Sequence, residues 1–276
     1  MNLGRGRMTI KITMNEREVE ISTGITLDAV RASFKPDADL LVLNGHVGDG
    51  GESIAEGDEI VLLRRGEVPD AHELESLLVA RHTPGIHGKV KASRVGVAGL
   101  GGLGSQVAIA MARMGIGRLV LADFDVVVPS NLNRQQYFVD QIGMRKVDAL
   151  SETLRRVNPY VAIETHDLKL APGNVHEVFG SCDVLVEAFD RADQKEMLIK
   201  TALDRLPDTR IIAASGLAGH EPSEMIGIHR VSPRLFVVGD LQTEARPGTG
   251  LMAPRVGVAA HTQANLALRL LLGEEE

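Results

Sequence analysis

Gly99-Leu100-Gly101-Gly102-Leu103-Gly104-Ser105 decides how this chain is read. An apolar run, 95–98, precedes it, and a second, 107–114, comes after it; that order reads as strand, glycine turn, helix. Glycines let the backbone approach a phosphate closely, and a helix N-terminus offers free N–H donors at the positive end of its dipole. Asp123 then closes the run Leu119-Val120-Leu121-Ala122. A carboxylate there is placed to bond a ribose hydroxyl. The turn points to a nucleotide without naming it.

The residues beyond Asp123 narrow the choice. Asp125, the stretch Ser130-Asn131-Leu132-Asn133-Arg134-Gln135 and Lys146 come next, and Asp190 ends the run 184–189. An oxidoreductase bound to a dinucleotide would use the glycine turn and Asp123 but leave Arg134, Lys146 and Asp190 idle. A triphosphate would use all three: Arg as a fork of donors, Lys as a compact charge. In a doubly wound sheet the strand ends converge on one crevice, so Asp190 faces the same ligand, and a carboxylate beside a triphosphate suits Mg²⁺. Arg134, Lys146 and Asp190 are the candidate catalytic residues, with Asp190 the metal ligand. They join Gly99, Gly101, Gly102, Gly104, Asp123, Asp125, Asn131 and Gln135 as the candidate nucleotide-binding set. Asn131 and Gln135 suit phosphate or metal-water contacts. Asp125 reads equally as a site residue or a loop brace, and Asp193 as a helix-start acid.

Composition excludes other classes. The chain has 276 residues, 44% hydrophobic, with no Trp and 3% aromatic residues, so its core is aliphatic. A net charge of −7 and the lack of a Lys/Arg block argue against nucleic acid. No apolar run reaches the ~18 residues that a membrane span needs. Residues 1–7 are basic but lack the apolar stretch of a secretory signal, and Met8 fits a natural start. The single cysteine, Cys182, precludes an internal disulfide and reads as a small buried residue; without CxxC pairs no zinc site is expected. His261 is a candidate core or pocket residue. These features fit a soluble cytoplasmic enzyme.

The chain divides into 8–66, a linker helix within 67–90, and 91–276. In the first segment, 9–14 and 18–22 suit a hairpin across Asn15-Glu16-Arg17, and 26–34 a helix with Thr26 as N-cap. Strands at 40–43 and 59–63 come next, with Asn44-Gly45 as a turn. Asp70 and Glu73 have capping-box spacing for the linker helix, whose apolar face is Leu74, Leu77 and Leu78, and Arg81-His82-Thr83-Pro84-Gly85 ends it. In 91–276, strands are expected near 94–98, 118–122, 160–164, 183–187 and 210–214, and helices near 104–114, 141–157, 192–204 and 256–272. That alternation predicts an α/β fold, a mainly parallel sheet with helices on both faces. Two antiparallel strands, 225–229 and 235–238, close one side. The Gly-, Pro- and Thr-rich stretch 240–254 reads as a mobile loop near the site.

The glycine turn, Asp123-Phe124-Asp125, 130–135, Lys146, Asn158-Pro159 and Asp190 resemble the ThiF/MoeB/ubiquitin-activating superfamily of carrier-protein adenylyltransferases. The segments 214–219 and 251–256, and the helix around Gln263-Ala264-Asn265, resemble its ThiF branch. The ββαβ…β order of 8–66 is similar to the β-grasp fold of ThiS, a ubiquitin-like sulfur carrier. Such carriers end in a free Gly-Gly, whereas here Leu63-Arg64-Arg65-Gly66 runs on into Glu67-Val68-Pro69, so this copy offers no carboxylate and reads as a docking or dimer-forming module. The resemblance implies a Rossmann-like domain that uses ATP and Mg²⁺. It would adenylate the C-terminal glycine of a separate ThiS-like carrier for thiamine (thiazole) biosynthesis, as a homodimer. An activator of another carrier, the molybdopterin-synthase small subunit, is the alternative. Arg81 is a candidate arginine finger acting on a partner subunit's phosphates. A covalent cysteine step is not expected.

Overall fold

The computed structural model describes residues 8–82, 85–245 and 249–274. The readings of residues 1–7, of Thr83-Pro84 and of 246–248 within the 240–254 loop lie outside the described residues. The chain forms two compact units, divided after His82.

In the first unit β1 (Thr9–Met14) and β2 (Arg17–Ser22) pair antiparallel through a turn in which Asn15 and Glu16 both take positive φ, 46° and 64°. Such a turn matches the twist of the flanking strands. α1 (Leu27–Phe34) is capped by the Thr26 hydroxyl, which accepts the Ala29 N–H at 3.3 Å. β3 (Leu40–Leu43), β4 (His46–Val47) and β5 (Glu59–Leu63) complete a sheet of order β2-β1-β5-β3-β4, with β5 parallel to β1. β4 is a two-residue strand beyond Asn44-Gly45, too short to leave a periodic signal. One sheet face, including Ile12, Ile60 and Leu62, packs on Leu27 and Val30 of α1. α2 (Ala71–His82) starts where Asp70 accepts the Glu73 N–H at 2.8 Å. Its expected apolar face, Leu74, Leu77 and Leu78, is only half-buried.

The second unit runs α3 (Ile86–Ala92), β6 (Arg94–Ala98), α4 (Gly102–Arg113), β7 (Arg118–Asp123), α5 (Lys146–Val157), β8 (Ala162–Asp167), α6 (Val175–Phe179), β9 (Val184–Glu187), α7 (Ala192–Arg205), β10 (Arg210–Ala214), β11 (Gly227–Ser232), β12 (Leu235–Gly239) and α8 (Ala253–Leu272). Its sheet has the order β11-β12-β10-β9-β6-β7-β8, all parallel except the β11–β12 pair. Strand residues alternate between two cores. Val95, Val97, Leu119, Leu121, Val184 and Val186 face α3, α4, α5 and α8; Val120, Ala122 and Leu185 face α6 and α7. Burial on both faces explains why these strands read as continuous apolar runs. After β6 the chain builds outward through β7 and β8, and then returns to place β9 on the other side. The crevice at that reversal, at the strands' carboxyl ends, is where doubly wound folds bind ligands.

Several boundaries differ from expectation for local reasons. α5 begins at Lys146, not 141, because 139–141 is a separate 3₁₀ turn closed by Gln141, whose Oε1 accepts the Phe138 N–H at 3.1 Å. Gly143, at φ +90°, then breaks the path. β8 starts at 162 because Asn158 accepts the Tyr160 N–H at 3.1 Å and holds 158–160 in a turn. β8 is a sheet edge with no fully buried residue, so apolar content does not mark it. α6, five residues long, falls below the length at which periodicity shows.

Candidate functional site

A cavity of about 750 Å³ opens within the second unit at the ends of β6, β7, β9 and β10. Its floor is the glycine turn. Gly99 has φ +88°, and a Cβ there would lie 3.0 Å from the Ala188 carbonyl oxygen, so both conformation and space demand glycine. Gly101 differs: the nearest atom to its would-be Cβ is Gln135 Nε2 at 3.8 Å. The protein leaves that position open, and bare backbone at the start of α4 faces the cavity. Gly104 does not line the cavity; its Cβ would sit 1.9 Å from the Gly99 oxygen, so it lets α4 pack against the turn. The Tyr137 hydroxyl donates to Leu100 O at 2.8 Å and the Ser105 hydroxyl to Gly101 O at 2.6 Å, clamping the turn from behind.

Asp123 is buried at the cavity wall. Its Oδ2 accepts the Leu100 N–H at 2.6 Å and its Oδ1 the Asp125 N–H at 2.8 Å. The carboxylate therefore braces the glycine turn, while each oxygen keeps acceptor capacity for a ligand. Asp125 lines the cavity and accepts from Lys146 Nζ at 2.7 Å, so it is brace and wall together. This pairing arises from the backbone: Lys146 N–H donates to Asp125 O at 2.9 Å and Val127 N–H to Met144 O at 2.8 Å, aligning the two segments antiparallel. Lys146 is the first residue of α5, where the dipole disfavours a cation, and its side chain is 7% exposed. A buried ammonium in that place is held by anions. Arg134, half-buried on the cavity, donates through Nη1 to Ser130 O and Asn133 Oδ1. Gln135 is buried on the cavity, and among the described residues its Oε1 has no hydrogen-bond partner. Asn131 is not at the cavity: its Oδ1 accepts the Val128 N–H at 3.1 Å and shapes the loop instead.

Asp190 lies exposed on the opposite side of the cavity, and among the described residues no hydrogen bond or ion pair engages it. Asp193, in the first turn of α7, takes the Arg191 fork at 3.0 and 2.8 Å. Beneath them lies a buried ion pair that no sequence motif announces. Glu187 is fully buried at the end of β9, with both oxygens 3.0 Å from Lys195 Nζ and one accepting the Phe189 N–H at 2.7 Å. Burial pushes the Glu187 carboxyl above its ordinary range against the pull of Lys195. The one local signal is an acid inside the apolar run Val184-Leu185-Val186-Glu187-Ala188-Phe189. Lys195, Gln194 and Lys169 also line the cavity.

The remaining candidates lie elsewhere. Arg81 pairs with Glu16 at 2.5 Å within the first unit. His261 is exposed on α8, neither core nor cavity, because its place on the helix turns it from the sheet. Cys182 is free and buried, and burial pushes its thiol up to about 12. Among the described residues no group of three or more His, Cys, Asp or Glu is placed to hold a metal ion, and no helix is long and apolar enough to cross a membrane.

Comparison with known proteins places these features in a family. The ThiF family model matches residues 77–276, and a ThiS-like ubiquitin model matches 10–66. An adenylyltransferase and sulfurtransferase UBA4 of Eremothecium gossypii is 31% identical over 71% of this chain, which spans 46% of that relative. The molybdopterin-synthase adenylyltransferase of Haemophilus influenzae is 30% identical over 67% of this chain, which spans 76% of it. Among solved structures, the E. coli tRNA N6-threonylcarbamoyladenosine dehydratase TcdA in complex with ATP superposes with a TM-score of 0.67 over 75% of this chain and 98% of that one, at 20% identity, a likeness of fold. The chain is a member of the ThiF family, with a ThiS-like ubiquitin domain ahead of its ThiF domain.

Proposed function

We propose that this chain is an ATP-dependent adenylyltransferase that activates the C-terminal glycine carboxylate of a ThiS-type ubiquitin-like sulfur carrier and releases pyrophosphate. One observation carries the reading: a single cavity brings together a bare glycine turn at a helix N-terminus, the Arg134 and Lys146 cations, and the unengaged Asp190 carboxylate. Residues 91–276 hold the nucleotide site, and 8–66 are a carrier-like module without a free end. The UBA4 and molybdopterin-synthase relatives, and the TcdA structure with ATP, support the chemistry.

The carrier carboxylate is already an anion, so no general base is needed. The chain's work is to align two anions and offset charge on the departing pyrophosphate. Backbone N–H groups at Gly101 and Gly102 meet the phosphates, Asp123 holds the ribose, and Arg134 and Lys146 neutralise the leaving oxygens. In adenylation the carboxylate oxygen bonds the α-phosphorus as the bond to the bridging oxygen of pyrophosphate breaks. Mg²⁺ fits as a supplement: Asp190, a cavity carboxylate that no hydrogen bond or ion pair engages among the described residues, is an ordinary donor for it beside a triphosphate, and the ion would supply charge neutralisation when bound. Asp123 and Asp125 already accept from N–H groups and from Lys146, and Asp123 keeps its remaining acceptor capacity for the ribose.

The test is exchange of labelled pyrophosphate into ATP with a purified ThiS-type carrier. Exchange that appears only with the carrier is expected, and none with either arm would refute the reading. Parallel arms with a molybdopterin-synthase small subunit and with NAD separate the alternatives. The first is favoured by the Haemophilus relative, and the second would show as saturable NAD binding without a response to ATP.

A further inference from the structure

Arg255 is the third residue of α8 and only 3% exposed, at a helix end that disfavours a cation. Its Nη2 donates to Asp240 Oδ2 at 2.6 Å, and its Nη1 to Glu221 O at 2.5 Å and Pro222 O at 3.0 Å. Asp240 is equally enclosed. Its Oδ1 accepts the Gln242 and Thr243 N–H groups, each at 2.8 Å, and its Oδ2 the Thr243 hydroxyl at 2.8 Å. Burial pushes the Asp240 carboxyl up, but these bonds and Arg255 outweigh it and hold the group below its ordinary range. Gly216 is pressed on the same carboxylate: a Cβ there would lie 2.0 Å from Oδ1. Val256, next to Arg255, stands 3.0 Å from the would-be Cβ of Gly102. One buried pair thus ties together the segments after β10 and β12 and the first turn of α8, all of which line the cavity.

The wall so held has its own chemistry. Small side chains, Ala214, Ser215, Gly216, Ala218 and Ala245, dominate it; among the described residues it brings no cation, and its one charged lining residue, Glu244, is an anion. A polyphosphate gains nothing there. An extended, neutral tail of glycines does, since it needs small side chains and accessible backbone groups. Net stability is a poor reason for such a pair, because buried ion pairs roughly break even against apolar replacements.

We infer that Asp240 and Arg255 are positioning residues that fix this cation-free, small-residue wall for the carrier's C-terminal tail, not for the nucleotide. The inference rests on the proposed adenylation. Its test compares the full-length wild type with Asp240→Asn/Arg255→Met, which leaves no charge buried and unpaired, and with Arg255→Lys, which restores a cation. Amide hydrogen exchange at 215–218 and 240–243, calorimetric ATP affinity, and initial rates against the concentration of a ThiS-type carrier are measured. In the double variant, exchange should quicken in both segments and the KM for carrier rise tenfold or more, with ATP affinity within twofold and kcat within threefold. Arg255→Lys should recover part of the KM. Unchanged exchange, an unchanged carrier KM, or ATP affinity falling in step with it would overturn the inference. Should the double variant fail to fold, Arg255→Lys alone must raise carrier KM without changing ATP affinity, and its failure to do so overturns it equally. A wild type inactive with every Gly-Gly carrier would instead refute the proposed function, and the control arm reads that separately.

Discussion

Two alanines, one methyl group each, should separate the fold from the site. At Gly104 the added Cβ would sit 1.9 Å from the Gly99 carbonyl oxygen. That is about 1.4 Å short of the ~3.3 Å at which carbon and oxygen normally meet. Neither atom belongs to a flexible side chain, so α4 must move off the turn. Overpacking against backbone costs about 3 kcal/mol or more, which lowers Tm by about 6–12 °C in a unit of this size. At Gly101 the same methyl group meets nothing nearer than Gln135 Nε2 at 3.8 Å, and φ is negative at −77° with ψ at −148°, so there is room for it at a small conformational cost. Alanine is a poorer N-cap than glycine, and the loss should stay near 1 kcal/mol, about 2–4 °C. The methyl then occupies the space in which a phosphate would approach the backbone. A clash of about 2 kcal/mol there weakens ATP about thirtyfold. Differential scanning fluorimetry reads the first effect and calorimetry with ATP the second. Gly101→Ala that melts as low as Gly104→Ala, or that binds ATP like the wild type, would refute the argument that the cavity side of the turn is kept bare for a ligand.

Other substitutions test the remaining groups. Asp190→Ala should cut pyrophosphate exchange by about 10²-fold or more at saturating ATP and carrier; near-normal exchange across a Mg²⁺ titration would remove Asp190 from the metal site. Asp123→Ala should fail in two ways, weakening ATP and costing about 1–3 kcal/mol of stability, because the buried Leu100 N–H loses its acceptor; a variant as stable as the wild type would show that the brace is dispensable. The Glu187 carboxyl is raised by burial, so the stability linked to its protonation is full below its unfolded pKa and is lost as pH rises through the folded one. Lys195→Met removes the counter-charge and extends that loss toward neutral pH, so urea unfolding should show a larger deficit at pH 8 than at pH 5, by about 1.4 kcal/mol for each further unit of rise; equal deficits would sink the idea. The Cys182 thiol, pushed up to about 12, should react with iodoacetamide at pH 8 about 10³-fold more slowly in the native chain than after unfolding, and Cys182→Ser should retain adenylation; a fast native reaction or a folded, inactive serine variant would point to a working thiol.

The features legible in the sequence are those that local chemistry determines. Apolar runs bounded by turn residues announce β6, β7, β9 and β10, because strands buried on both faces need little else, and β1, β3 and β5 show through their β-branched and aliphatic residues between turns, although only one face of their sheet is covered. The glycine turn is legible because Gly99 and Gly104 admit no other residue, and Asp123, Arg134, Lys146 and Asp190 are legible as cavity-lining residues because each lies at the end of a strand or in the segment that leaves it. Contacts between distant segments were not legible. Asn131 and Gln135 stand in one polar stretch, and nothing local says that Asn131 closes its own loop while Gln135 faces the cavity. Gly101 and Gly104 read alike until the backbone shows one facing space and the other facing Gly99 O. The Glu187–Lys195 and Asp240–Arg255 pairs exist because sheet order brings β9 against α7, and β12 against the first turn of α8. A buried charge needs its partner in space, and the partner's place in the chain is set by topology, which no window of sequence contains.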